Sequence, residues 1–421
     1  MSSAEAPEIR GGLAFGPLWR IARRDLGRNR RRSLLSMLAV ALGLALLIAF
    51  NGLINGVMDD MRDNTIRYDT GHLQLRRPDY DADSLSLRGS ELVDDLDARL
   101  ARLRAMDGVR VASPVLWIRG LMTGAEESVD LRLIGIDPES ELHAPFRDAL
   151  AAGDFLSADD RDGVLIGRRL AEKMGLAPGD KAPLAVVDAE GKLDEGLFTV
   201  RGVFDTGLIV YDESVALMSL SKAQAFGQAR GRASAIVLLL DRADDAARLA
   251  ATLDEPGLRA LSWLDLNELL GYYLGTVKRF YWLLDAIVML VVAVVIANTL
   301  LMAVFERIRE FGVMKALGVG PWLVMRVILV ESALQLGIAT LLGLVLAAPF
   351  AFALQVHGLD MTMLAGATVM GLSSPAVWKG SFTPAVVAQP VIVLLVVVGA
   401  SVLWPAWRAA RLRPLDAMRA T

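Results

Sequence analysis

Apolar residues run on for about a bilayer's thickness at four places in the chain. A membrane-crossing helix needs about 20 mainly apolar residues. Leu34 to Leu53 (LLSMLAVALGLALLIAFNGL), Phe280 to Val304, a run within Val324 to Leu354, and Val386 to Trp404 all qualify. They predict spans at 34–56, 280–304, 322–354 and 386–407. A weaker run, Met361 to Trp378, is interrupted by Gly366, Gly371, Ser373, Ser374 and Pro375. It reads as a loop or interfacial segment within an outer connection over 355–385.

Between the first two spans the pattern changes. Gly71 to Pro78 (GHLQLRRP) alternates like a strand. Leu92, Leu96, Leu100 and Leu103 mark one helical face, in a helix ending near Gly108 and followed by a strand through Trp117. Further strands are predicted in DLRLIGID, DGVLIG, LFTVRGVF and SAIVLLLD, with a turn at Pro178-Gly179-Asp180. The stretch DDLDARLARLRAMDGVRVAS is echoed by DDAARLAATLDEPGLRALSW. Two strand–helix–strand units far apart in sequence would then share one sheet, unless the echo is chance. The expected domain, 57–279, has a sheet lobe (57–124 plus 231–270) and an inserted lobe (125–230). The predicted fold class is a membrane protein with four transmembrane α-helices and a large two-lobed α/β periplasmic domain between helices 1 and 2.

Composition agrees: 54% of residues are hydrophobic, above the 45–50% usual for soluble domains. Charge sets the expected orientation. Arg20, Arg23, Arg24, Arg28, Arg30, Arg31 and Arg32 precede the first span. Arg307, Arg309 and Lys315 lie between the second and third, and Arg408, Arg411, Arg413 and Arg419 follow the fourth. Lys and Arg collect on the cytoplasmic side, so the basic N-terminus (1–33), the connection 305–321 and the tail (408–421) are expected there. The large domain then lies outside the membrane. The first span is expected to be an uncleaved start helix, because its apolar core is long for a secretory signal. Residues 57–279 hold 39 Asp and Glu against 27 Lys and Arg. The basic ends are therefore topology signals and lipid-headgroup contacts rather than a nucleic-acid footprint. With no cysteine, the outer domain uses no disulfides.

Catalytic signatures are missing. There is no G-x-x-x-x-G-K-[ST] phosphate loop, no HExxH and no paired Cys/His spacing. His72, His143 and His357 stand alone. No enzyme activity, cofactor or metal is expected on this chain. Polar residues inside the spans are few: Asp285, Asn298, Arg326, Glu331 and Gln335. Such residues usually face a protein interior or an interface. Asp285, Asn298, Glu331 and Gln335 are candidate helix-interface contacts, and Glu331 reads equally well as a headgroup-level charge.

The connection ERIREFGVMKALGVGPW, Glu306 to Trp322, is short and amphipathic. Ile308, Phe311, Met314 and Leu317 recur every three residues, with Glu306, Arg307, Arg309, Glu310 and Lys315 elsewhere. Gly318 and Gly320 can end the helix, and Pro321 suits the first turn of the next. Such a helix is either an interfacial turn or a surface that fills a partner's groove.

The pattern E-R-x-R-E-x-G-x-x-x-A-L-G, at Glu306, Arg307, Arg309, Glu310, Gly312, Ala316, Leu317 and Gly318, resembles the FtsX/MacB superfamily of ABC transporter permeases. So do Glu331 followed by Gly337 and Gly343, the tail PAWRAARLRPLDAMRA, and RDLGRNRRRSLLSMLAVALGLALL at the first span. The outer domain is most similar to the lipoprotein-releasing LolC/LolE-type branch, through TGHLQL and RGVFDTGLIVYDESVALMSLSKAQAF. The fused ATPase domain of MacB proteins is not seen, which counts against that subgroup.

The resemblance implies a non-catalytic permease subunit paired with a second permease, as a homo- or heterodimer. A pair of ABC ATPase subunits would bind ATP and Mg and drive it through Glu306, Arg307, Arg309, Glu310, Phe311, Met314, Leu317 and Gly318. Phe311 and Met314 would supply apolar anchoring, and the charges orientation. Lipoprotein release with a periplasmic carrier is the implied work. The alternatives are MacB-like export or efflux and FtsX-like mechanotransmission to a periplasmic enzyme.

Overall fold

The computed structural model describes Arg20, Arg24 and residues 30–411, apart from Ser86, Ala125, Glu126, Asp254, Arg307, Leu317, Gly318 and 362–376. In chain order the principal helices are α1 (Arg30–Thr65), α2 (Leu96–Arg104), α3 (Ala246–Thr252), α4 (Glu268–Glu306), α5 (Ile308–Ala316), α6 (Pro321–Val356) and α7 (Pro384–Ala410). The chain forms two compact units. Among the described residues, one takes those up to Val57, 275–359 and 378–411; the other takes 58–274, 360, 361 and 377.

Helices α1, α4, α6 and α7 each contain a window long and apolar enough to cross a membrane. Both α1 and α4 outrun the apolar runs that predicted them. Hydropathy sets what a bilayer will hold, but backbone hydrogen bonding and capping set where a helix stops. Thus α1 continues through Met58–Thr65 into a π-helical turn at Ile66–Thr70, and Gly71, at φ +61°, ends it. Just before α4, a capping box opens the short helix Trp263–Leu266, in which Ser262 and Asp265 satisfy each other's backbone N–H groups.

The membrane unit's core joins Val40, Leu44 and Ile48 of α1 to Met289, Ala339, Leu394 and Val398. Small residues allow this packing. A Cβ at Gly343 would meet Leu44 and the Ala41 carbonyl at 2.9–3.1 Å. Residues 379–382, just before α7, lie against α1: Ser381 N–H donates to the Gly52 carbonyl at 2.8 Å, and Gly380 N–H to that of Leu354 in α6 at 3.1 Å. The weak apolar run expected to be a loop falls mostly in 362–376, outside the described residues.

The other unit is built on a sheet of ten strands: β1 (Leu73–Arg76), β2 (Val109–Thr123), β3 (Ser128–Ile136), β4 (Leu150–Gly153), β5 (Gly163–Gly167), β6 (Lys181–Val187), β7 (Leu193–Phe204), β8 (Val215–Ser219), β9 (Ala235–Leu240) and β10 (Arg259–Ser262). Their order is β10-β1-β9-β2-β3-β8-β5-β7-β4, with β6 bridging β2 and β7. Strand β2 spans both halves. Residues Val109 to Val115 pair with β9, and Leu116 to Thr123 with β3. The segment 125–230 therefore extends the same sheet.

The two similar strand–helix–strand units share this sheet. Helices α2 and α3 pack on it through Leu100, Leu103 and Ala246, against Leu73, Leu75, Ile236 and Leu238. Buried Glu255 pairs with Arg99 at 2.9 Å and also with Arg102, tying α2 to the turn before β10. Contrary to the leucine spacing, Leu92 is not on the α2 face. Val93 bridges to Ala233, so the chain is still extended there, and Leu92 enters a different core with Leu116 and Ile118.

Candidate functional site

The connection after α4 folds as expected into a short helix, with details that periodicity does not give. Glu306 is the last residue of α4, and α5 occupies Ile308–Ala316. Met314 does not point away from the bundle. It packs with Val319 against Val324, Ile328 and Ala406, where the start of α6 meets the end of α7. Lys315 Nζ donates to the Ala410 carbonyl. The outward face carries Arg309, Glu310, Ala316 and Val313, which is 51% exposed. Arg307, Leu317 and Gly318 lie outside the described residues, as do the side chains of Glu306 and Phe311. The result is a helix anchored to two spans by one face and offering a small apolar and charged surface on the other.

The intramembrane polar residues separate. Asp285 meets Asn51, whose Nδ2 donates to Oδ2 at 2.9 Å, so this pair joins α4 to α1 within the chain. Gln335 lines a cavity of about 20 Å³ with Ser36 and Ser332, enough for about one water. Glu331 is half-buried and Asn298 exposed.

In the outer unit, Tyr211 and Asp212 of the stretch matched to the lipoprotein-releasing branch are built into the fold. Tyr211 is buried in an aromatic group with Tyr68, Phe146 and Phe204. Burial pushes its phenol well above the ordinary value. Asp212 accepts from Thr206 N–H at 2.9 Å and from Thr206 Oγ1 at 2.8 Å, closing the turn after β7. Burial raises its carboxyl to about 6. Gly207 in that turn has φ +72°, which a side chain would strain. Sequence reasoning missed Asp69 and Arg132, paired at 2.8 Å, with the guanidinium 5.9 Å from the Tyr211 ring centre. With Met61, Thr65 and Asn267 they line a cleft of about 200 Å³. Asp69 follows the end of α1 and Arg132 lies mid-strand, so no local pattern links them. Among the described residues, no group of three or more His, Cys, Asp or Glu could hold a metal ion.

His143 is buried and its Nε2 lacks a hydrogen-bond partner. Burial, helped by Arg147, lowers its pKa from 6.5 to about 3. Below pH 6.5 the unfolded chain takes up a proton that the folded one refuses, so this contribution falls as pH drops. At pH 5 the loss is on the order of 2 kcal/mol. Asp212 acts with opposite sign, favouring the fold as pH falls through 6. Thermal unfolding of His143→Leu at pH 7 and pH 5 should show a pH-5 penalty smaller by roughly that amount than wild type; equal penalties would refute the assignment.

A four-span membrane protein with an α/β domain after its first span is the class these features define. The model for the MacB-like periplasmic core domain matches residues 33–255, and that for the FtsX-like permease C-terminal region matches 282–414. The chain belongs to this family: it is an ABC transporter permease of the FtsX/MacB type. It is 25% identical to the lipoprotein-releasing system transmembrane protein LolC of Xylella fastidiosa (strain 9a5c), over 97% of this chain and 98% of that protein. LolC of Neisseria meningitidis serogroup B is also 25% identical, over 74% and 75%. The macrolide export ATP-binding/permease protein MacB of Nitrobacter winogradskyi is 25% identical over 96% of this chain and 61% of its own length. The crystal structure of the periplasmic region of MacB from Actinobacillus actinomycetemcomitans is 14% identical, covering 49% of this chain and 95% of that structure, with TM-score 0.33.

Proposed function

We propose that this chain carries ATP-driven motion from a separate ATPase pair to its α/β domain, and that the work done there is release of lipoproteins from the inner membrane. The observation that carries the lipoprotein reading is the end-to-end match to LolC, 97% of this chain against 98% of the relative. Both termini and α5 face the cytoplasm in this reading, in keeping with the Arg and Lys beside the spans. The outward face of α5 receives the ATPase, which binds ATP and Mg. A second permease completes the dimer, and a periplasmic carrier accepts the lipoprotein.

The transmission route has structural support. Helices α1 and α4 run without a break through the residues where one compact unit gives way to the other.

The test is reconstitution with the ATPase and second permease in vesicles carrying a radiolabelled lipoprotein and a soluble carrier outside. ATP-dependent transfer to the carrier is expected. Transfer of a macrolide without lipoprotein release would favour MacB-like export, and activation of a cell-wall hydrolase alone would favour mechanotransmission. A reporter inserted at Gly191, at the tip of the β6–β7 hairpin, should be periplasmic, and one fused after Thr421 cytoplasmic; the reverse result would overturn the orientation.

A further inference from the structure

Among the described residues the motif W-x-x-x-R, which plays no part in the transport reading, occurs at Trp322/Arg326, Trp404/Arg408 and Trp407/Arg411. Residues four apart lie on the same face of a helix, and each guanidinium lies over its indole within cation–π range. The Arg Cζ to ring-centre distances are 5.5, 5.5 and 4.2 Å. All six side chains are exposed, and none of the three arginines has a carboxylate partner among the described residues.

These pairs share one end of the membrane unit. Trp322 and Arg326 sit in the first two turns of α6, and the other four residues in or just after the last two turns of α7. The two ends meet through Val324, Ile328 and Ala406. At about 1.5 Å per residue, α6 is longer than the roughly 30 Å hydrocarbon layer needs, so its first turns can sit at headgroup level. Exposed Trp favours that depth. An Arg drawn over an indole face, with no carboxylate partner, keeps N–H groups available for bidentate contact with a phosphate.

We propose that the three Trp–Arg pairs form a binding surface for anionic phospholipid headgroups where α6 and α7 meet. Unpaired guanidinium charge matches a phosphodiester carrying net negative charge, and the indoles match the glycerol and upper acyl region beneath it. An acidic protein would also meet the charge, but three exposed indoles beside it suit a surface half in lipid. The proposal does not depend on which cargo or ATPase the permease serves.

The full-length protein is placed in nanodiscs of phosphatidylcholine containing brominated phosphatidylglycerol, and separately brominated phosphatidylcholine, and Trp quenching is titrated. The wild type is expected to be quenched at lower mole fractions of the anionic lipid. Each single Arg→Gln change at 326, 408 or 411 should reduce that preference about fivefold, and the triple variant should abolish it. Arg408→Lys, which keeps the charge and loses the planar, bidentate guanidinium, should fall between. An unchanged Tm in pure phosphatidylcholine shows that the triple variant is folded; if its Tm is lowered, the single variants decide the matter. Equal quenching by both lipids in the wild type, or single variants and a folded triple variant with intact preference, overturns the proposal. Competition by millimolar inorganic phosphate would also overturn it, by showing a soluble-anion site. Loss of ATPase binding with lipid preference unchanged would overturn it in favour of a protein contact.

Discussion

Val313→Asp is expected to uncouple the permease from its ATPase while leaving its fold intact. Val313 is 51% exposed on the outward face of α5, flanked by Arg309, Glu310 and Ala316. An apolar anchor at the centre of an interface commonly accounts for 2 kcal/mol or more, about thirtyfold in affinity. Putting a carboxylate there adds the cost of drying a charge. Co-purification of the ATPase should drop by at least about that factor, and transport-coupled hydrolysis should be lost. Met314→Ala should behave differently. Its side chain is wedged against Val324, Ile328 and Ala406, so the change should lower the Tm of the permease by loosening α5 from the bundle. Truncating a fully buried Met costs about 2–5 kcal/mol, and half-buried Met314 should cost less. If Val313→Asp retains full ATPase binding and stimulated hydrolysis, α5 is an interfacial turn and the coupling role falls.

The contrast between Val313 and Met314 marks how far the sequence could be read. The three-residue repeat through Met314 shows that one face of the helix is covered. It carries no information about what covers it. Here the cover is the chain's own α6 and α7, brought under α5 by the turn at Gly320-Pro321. The four spans were legible because bilayer thickness demands a length of apolar sequence that nothing else demands. The shared sheet was legible because two similar units, each with a helix to cover one face, have one economical solution. Long strand β2 was not, because a fifteen-residue strand that changes partners at Leu116 looks locally like any other apolar run. The Asp69–Arg132 pair and the Asn51–Asp285 pair each join elements distant in sequence. Only Asp285 gave a signal, because a carboxyl inside a span needs a partner.

The glycines of the first span were also silent, since Gly in an apolar run reads as mere permissiveness. They support the second large prediction. A Cβ at Gly56 would overlap the Lys379 carbonyl and come within 2.7 Å of Ser381 N. A Cβ at Gly52 would overlap the ring of Phe382 instead. The obstacles differ in kind: backbone that is itself hydrogen-bonded to α1 at one position, a movable side chain at the other. Overpacking costs about 1–3 kcal/mol when side chains can adjust, and more when backbone must move. Gly56→Ala is therefore expected to be the more damaging, lowering the Tm of the purified permease and reducing its yield in the membrane. Phe382→Ala should partly rescue Gly52→Ala, with a coupling of about 1 kcal/mol or more, because it removes the obstacle along with some packing. It should not rescue Gly56→Ala, whose obstacle is the main chain of residues 379–381. Additive effects in both double mutants, or a Gly56→Ala protein as stable as wild type, would mean that the segment before α7 is not clamped to α1.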